Sequence, residues 1–398
     1  MSAIPNAAAT PAAPSLCTLR QFALYFLKLG TLGFGGPIAL AGYMQRDLVE
    51  DRCWIAPEDY KQGLALAQLA PGPLAAQLAI YLGWVRGRVW GATLIAAAFI
   101  GPSFLMVLAL SALYVRFGGL SWMRAVFYGV GAAVIAIIAR SALKLVRMTL
   151  GRDRLLWLLF AISMLVTAWT ETEVVWLFAA CGIAPMLARG RRGKVLETNT
   201  LSVAAWPLLF AGSASASLSM GLLGTIFGYF AGAALFVFGS GLAIVPFLHG
   251  GVVLHYHWLT ERQFLDAVAV SMITPGPVVI TVAFIGYLVA GPLGAIAAAA
   301  GVFLPTYLVV VAVAPSFRRV VGNDLVKAFV TGVTAAATGA IAGAVIVLGR
   351  RALVDVPTIL IGLATFGLLL VPRKIPEPLI IAAAGAAGLL LSIHRLAP

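Results

Sequence analysis

Apolar stretches of roughly 20 residues recur from one end of this chain to the other, and each is long enough to cross the hydrocarbon core of a bilayer. Inside lipid every backbone amide and carbonyl needs a partner within the chain, so such stretches fold as helices. The composition agrees. Of 398 residues, 62% are hydrophobic and 10% charged, against about 25% charged in an ordinary soluble domain. That excludes a soluble enzyme or a nucleic-acid-binding domain, and the expected fold class is an all-α polytopic membrane protein.

The 27 Lys and Arg outnumber the 14 Asp and Glu, for a formal charge of +13. In a membrane protein this excess belongs to cytoplasmic loops; it calls for no nucleic-acid partner and leaves room for an anionic substrate. Cys17, Cys53 and Cys181 are far apart and form no C-x-x-C pair, so neither a metal site nor a disulfide framework is expected. No cofactor is expected either. Residues 1–18 read as a disordered cytoplasmic tail, since the opening MSAIPNAAATPAAPSL lacks the basic start and apolar core of a cleaved signal.

Apolar helices are expected at 19–35, 89–115, 125–148, 155–169, 173–188, 201–219, 222–238, 293–314, 326–349, 355–371 and 377–394. Two further regions, 36–85 and 240–290, are apolar but interrupted by Gly, Pro and charged loops. Laying Pro71-Gly72-Pro73 on Pro275-Gly276-Pro277 also brings Phe34-Gly35 onto Phe238-Gly239, Trp54 onto Trp258 and Tyr60 onto Phe264. After a one-residue gap, Gly83, Gly91, Pro102 and Arg116 fall on Gly286, Gly294, Pro305 and Arg319. The chain is therefore read as two repeats, 19–220 and 221–398.

Orientation follows from basic loops. Arg147, Arg152 and Arg154 precede the helix pair 155–188 and Arg189, Arg191, Arg192 and Lys194 follow it, while its tip carries Glu171 and Glu173. Both basic ends are expected inside, as are the loops with Arg86/Arg88, Arg318/Arg319 and Arg373/Lys374; Arg350/Arg351 breaks the rule. If each interrupted region makes one net crossing, about 13 crossings result, seven of them in the first unit, and an odd unit inverts its copy. Inverted repeats with discontinuous helices near the midplane are a common transporter plan.

The breaks carry the chemistry. Gly33-Phe34-Gly35-Gly36-Pro37 interrupts a helix, and Pro37 suits the first position of a new one. The amides of Ile38 and Ala39 are then free donors at a positive dipole end, a ready anion site. Pro71-Gly72-Pro73 repeats the device for Leu74 to Ala76. A packing kink is the bland reading of either break alone. Lys28 lies six residues before Phe34, about 9 Å along a helix, and either snorkels or faces an anion. Gln68 and Gln77 flank the first Pro-Gly-Pro as neutral ligands, and the second half has Met272 and Thr281 there. The candidate substrate site is thus Lys28, Gly35, Gly36, Pro37, Ile38, Gln68, Pro71, Gly72, Pro73, Leu74 and Gln77. Arg46, Asp47, Glu50, Arg140, Gly276 and Pro277 are candidate pathway or gate residues, with a solvated loop the bland account of the first three. No nucleotide loop, H-E-x-x-H or nucleophile elbow occurs, so the expectation is a transporter and not an enzyme.

Phe34-Gly35-Gly36-Pro37, Trp54 with Tyr60, Gln68 before Pro71-Gly72-Pro73, and then Gly83 and Gly91, with a degenerate second copy from Phe238 to Pro305, resemble the two-domain form of the chromate transporter family over nearly the whole chain. The resemblance implies chromate efflux across the inner membrane, chromate resistance, and sulfate as a structural mimic. The second copy departs in having Gly239-Ser240-Gly241 where the first has Gly-Gly-Pro. Outward movement of a dianion gains about 4.6 kcal/mol per 100 mV of inside-negative potential, enough for roughly a thousandfold gradient. A proton-coupled importer of sulfate or another oxyanion is the alternative, and a homodimer is left open.

Overall fold

The computed structural model describes residues 17–34, 36–117, 120–171, 175–190, 221–235, 237, 244–316, 324–371 and 375–396. The first 16 residues, Gly35, Glu173, the expected helix 201–219, Phe238-Gly239-Ser240-Gly241 and the basic residues Arg191, Arg192, Lys194, Arg318, Arg319, Arg373 and Lys374 lie outside them. Every regular element among the described residues is a helix. Four helical stretches are long and apolar enough to span a membrane, Leu74–Phe117, Trp122–Thr149, Val278–Val313 and Leu325–Ala352.

In the first half, α1 (Leu19–Leu32) starts from a Thr18 capping box with Gln21 and ends at Gly33. Helix α2 (Gly36–Gln45) runs into a π-helical turn, Arg46–Asp51. This strand of chain comes back along α1: the Tyr25 hydroxyl donates to Asp47 at 3.2 Å, and Phe22 meets Trp54 with ring centroids 6.3 Å apart. Helix α3 (Pro57–Leu69) then enters, and the first part of α4 (Leu74–Phe117) returns beside it, with the Tyr81 hydroxyl 3.4 Å from Gln62. The two hairpins share a mouth, where Arg86 donates to the Cys17 carbonyl at 2.6 Å. Their tips are the two sequence breaks. The interrupted region 36–85 is therefore a return of one hairpin followed by the whole of a second, where the sequence alone suggested one net crossing.

At Gly87-Arg88 α4 reverses sharply, and Arg88 takes a φ of 53°. The reversal presses Gly83 onto Gly91, where a Cβ on Gly83 would lie 2.7 Å from the Gly91 carbonyl oxygen. Beyond this corner α4 is a 29-residue rod ending at Phe117, about 43 Å long at 1.5 Å per residue. Helices α5 (Ser121–Thr149), α6 (Arg154–Thr170) and α7 (Val175–Gly190) follow.

The second half repeats these elements: α8 (Leu222–Ala234), α9 (Ile244–Leu248) with the π-helical turn His249–His255, α10 (Glu261–Ile273), α11 (Thr281–Val313), α12 (Asp324–Ala352), α13 (Val356–Leu370) and α14 (Glu377–Leu396). The correspondence reaches backbone detail. The Ala290-Gly291 corner of α11 copies Gly87-Arg88. Trp54 and Ile55 donate to the Leu48 carbonyl as Trp258 and Leu259 do to that of Val252, and Cys53 and His257 share φ values of 50° and 51°.

The halves interlock. Helix α5 packs on α14 of the other half, and α12 packs on α6 and α7 of the first. Glycines permit both approaches: Gly129 lies against the Ala384 carbonyl and Gly332 against that of Cys181. Small residues let helix backbones come close in lipid, where packing replaces the hydrophobic drive. The α4 rod leads from the mouth of the first half to that of the second, because Tyr114 near its far end donates to Asp266 at 2.7 Å, just inside α10.

Candidate functional site

The four hairpin tips meet two by two in the interior. The Gly276 amide donates to the Gly33 carbonyl at 2.8 Å, and the Gly72 amide to the Val237 carbonyl at 2.7 Å. Each bond joins a Pro-Gly-Pro tip of one half to the first tip of the other. Both glycines need their lack of a side chain: Gly72 has φ 130° and Gly276 φ 98°. A Cβ on Gly72 would sit 2.8 Å from both Thr306 Oγ1 and Gln77 Nε2, while one on Gly276 would strike the Ser103 hydroxyl. Ser103 and Thr306 occupy the same place after Pro102 and Pro305 on α4 and α11. Their role was not drawn from the sequence, although the matched prolines marked the positions.

Around Pro71-Gly72-Pro73 every residue from Ala70 to Gly83 is buried. Ala70, in extended backbone, caps α3 by donating to Leu66 at 2.8 Å, and Pro73 opens α4 by accepting from the Gln77 amide at 2.9 Å. The amides of Leu74, Ala75 and Ala76 meet no acceptor among the described residues, as expected for a first helical turn. Gln77 is 0% exposed and folds back over this turn, its Nε2 donating to the carbonyls of Pro71 at 2.6 Å and Ala70 at 3.2 Å. Its Oε1 has no partner among the described residues. The second half lacks this arrangement, because the Thr281 hydroxyl at the matching position donates to the Val278 carbonyl at 2.8 Å.

The other break is more open. Gly36 takes φ 74°, Pro37 is half-buried and Ile38 is 39% exposed at the start of α2.

Several candidates fall away from the tips. Lys28 is exposed on the side of α1 that carries Leu24, Leu27 and Leu32. The inward face is Phe22, Tyr25, Phe26 and Leu29, and of the two readings of Lys28 its exposed position agrees with the snorkelling one. Gln68 is likewise exposed. Arg46, Asp47 and Glu50 lie at the mouth of the first hairpin, where Arg46 pairs with Asp47 at 2.9 Å and Gln45 donates to Glu50 at 3.1 Å. Arg140 is exposed on α5, within electrostatic reach of Glu377. Gly276 and Pro277 are buried at the opposite Pro-Gly-Pro tip, so Gly276 belongs to the contact between halves.

A second polar cluster lies at the mouth of the other half, and its His249 and Glu261 come from the stretch that corresponds to the charged loop of the first half. Arg351, at the end of α12, forms ion pairs with Glu171 at the end of α6 and Glu261 at the start of α10. Glu261 also bonds His249, which is 3% exposed, at 2.8 Å. Glu171, at the tip of the expected helix pair, is thus an ion-pair partner. The pairing also gives Arg351 a reason to depart from the basic-loop rule.

A family profile described as Chromate transporter matches residues 20–186 and again 224–389. A chromate transport protein of Cupriavidus metallidurans is 60% identical over 372 residues, covering 94% of this chain and 93% of that one. A probable chromate transport protein of Synechococcus elongatus is 54% identical over 375 residues, with 94% and 95% covered. A chromate transport protein of Pseudomonas aeruginosa is 33% identical over 399 residues, with 96% and 95% covered. No solved structure matches.

Proposed function

Since this chain belongs to the chromate transporter family, as a multi-pass membrane protein of two repeats, we propose that it carries chromate out of the cell across the inner membrane and so confers chromate resistance. The relatives are named for chromate transport and not for its direction. Efflux rests on the sign of the potential: an anion leaving an inside-negative cell runs downhill by about 2.3 kcal/mol per charge per 100 mV. The driving force is the membrane potential or the proton gradient, and sulfate, with the same tetrahedral shape, is the expected competitor.

The observation that carries the mechanism is the pairing of hairpin tips through Gly33 with Gly276 and Gly72 with Val237. Two helices begin at the first-half tips, α2 and α4, and helix starts favour anions. The binding site is read as the first-half breaks: Gly35, Gly36, Pro37 and Ile38 at one, and Pro71, Gly72, Pro73, Leu74 and Gln77 at the other. Lys28 and Gln68, both exposed, act at most as approach groups, and the Arg46, Asp47 and Glu50 mouth as an entrance.

The repeats, 19–220 and 221–398, are read as inverted in the membrane. Support comes from the α4 rod, whose start lies beside the first mouth and whose end reaches Asp266 beside the second, where Arg262 donates to the Arg124 carbonyl at the start of α5. Counting each hairpin as in and back leaves eight crossings among the described residues: the rods of α4 and α11, with α5, α6, α7, α12, α13 and α14. This reading gives fewer crossings than the about 13 expected from the apolar stretches, and with the expected helix 201–219 added the first unit is again odd.

Cells expressing the protein should accumulate less chromate than controls, with a protonophore abolishing the difference. Greater accumulation in energised expressing cells would favour import of sulfate or another oxyanion instead.

A further inference from the structure

We infer that the first-half site selects the singly protonated form of its oxyanion, with Gln77 Oε1 accepting the anion's O–H, and that this makes the protein discriminate against oxyanions that cannot hold a proton near neutrality. The inference rests on the proposed chromate-binding role of this site and adds the chemical form of the substrate.

The orientation of the Gln77 amide is set by its contacts. Its two contacts, the carbonyls of Ala70 and Pro71, are both acceptors, so the NH2 group has to face them. The oxygen is left as a buried acceptor with no donor among the described residues. A buried polar group without a partner is costly and rare in native structures. One turn away the amides of Leu74, Ala75 and Ala76 are donors without acceptors. A ligand completing this set must accept several hydrogen bonds and donate one. A fully deprotonated tetrahedral dianion accepts only, and would bring its charge against the lone pairs of Gln77. A hydrogen-oxyanion does both, since its unprotonated oxygens face the amides and its hydroxyl faces Oε1.

The matching site of the second half carries no such demand, because the Thr281 hydroxyl is bonded within its own turn. Selection by protonation therefore falls on one half. Chemistry then separates two anions of like shape: hydrogen chromate gives up its proton near neutrality, whereas hydrogen sulfate and hydrogen selenate do so only in strong acid. At neutral pH sulfate and selenate offer no O–H, and each would leave the Gln77 oxygen unpaired, a loss of about tenfold in affinity for one hydrogen bond.

The inference also fixes coupling. Transport of a monoanion moves one charge and one proton together. A potential of 100 mV then supports an outward gradient of about fortyfold, opposed by about tenfold per unit of alkaline interior.

The test is labelled chromate in proteoliposomes of the full chain, clamped at zero potential, with a pH difference of one unit. Chromate should accumulate about tenfold on the alkaline side, and excess selenate should compete about tenfold less well than excess unlabelled chromate. Gln77→Met should bring selenate and chromate to near-equal competition. Its folding is checked by size-exclusion, and the wild-type arms need no variant. Chromate movement that ignores the pH difference, with selenate competing equally, overturns the inference, leaves the transport reading standing, and assigns the Gln77 oxygen to a bound water only. Absence of chromate movement under any gradient overturns both.

Discussion

The Gly276 amide reaches across the centre of the molecule to the Gly33 carbonyl, 2.8 Å away, and at an offset of 204 residues Gly72 and Val237 make the mirror contact at 2.7 Å. Two repeats that each offer a donor at one tip and an acceptor at the other can satisfy both only by crossing. A broken backbone in a membrane interior is tolerated where protein supplies the missing partners, and here each half supplies them to the other.

Gly72→Ala and Gly276→Ala should therefore both destabilise the protein. Left-handed or mirror-extended backbone costs a residue with a Cβ about 1 to 3 kcal/mol, before the encounter with Thr306 or Ser103. Gly42→Ala is the control, as a Cβ there meets nothing within 4 Å. Thermal unfolding in detergent should show losses for the first two and none for the third. Unchanged midpoints at 72 and 276 would mean that the tips are not packed as described.

Arg351→Gln should loosen the far mouth, because it leaves Glu171 and Glu261 without their cation. All three side chains are 30% to 40% exposed, so solvent screens the pairs and the cost is about 1 to 2 kcal/mol, below that of a fully buried pair. Adding Glu261→Gln should recover part of the loss. If the double variant is worse than the single one, the attraction between these groups is not what holds the mouth.

What the sequence made legible was local. Apolar length marked the long spans, and paired prolines marked the breaks, because both act on the backbone where they stand. The returns of the hairpins were not legible, since Tyr25 meeting Asp47 and Arg86 meeting Cys17 join residues far apart in sequence. Arg351 appeared anomalous for the same reason. Lys28 is a different case, because Phe22, Tyr25, Phe26 and Leu29 recur at i, i+3, i+4 and i+7 and already define an inward face that excludes it. Ser103 and Thr306 were marked by the matched prolines before them but not weighed.

Lys28→Gln tests that reading. An exposed lysine attracts an anion only through a screened field, so the variant should keep chromate transport within about threefold of wild type, with the difference shrinking as salt rises. A loss of a hundredfold or so that salt does not change would return Lys28 to the binding site.

Opposite orientation of the repeats is read by single cysteines in a background with Cys17, Cys53 and Cys181 replaced by Ser. Glu58→Cys, at the mouth of the first half, should react only from the cytoplasmic side, and Arg262→Cys, at the second mouth, only from outside. Labelling of both from one side would contradict the inversion.

The most direct test of the account is chromate flux through purified protein in oriented, ATP-free proteoliposomes, with the potential set by a potassium gradient and equal pH on both sides. The account predicts that chromate leaves through the protein from the compartment made negative, at a rate that rises with the potential and reverses when its sign is reversed. Flux that is absent, or that ignores the sign of the potential and needs an added cation gradient, would contradict it.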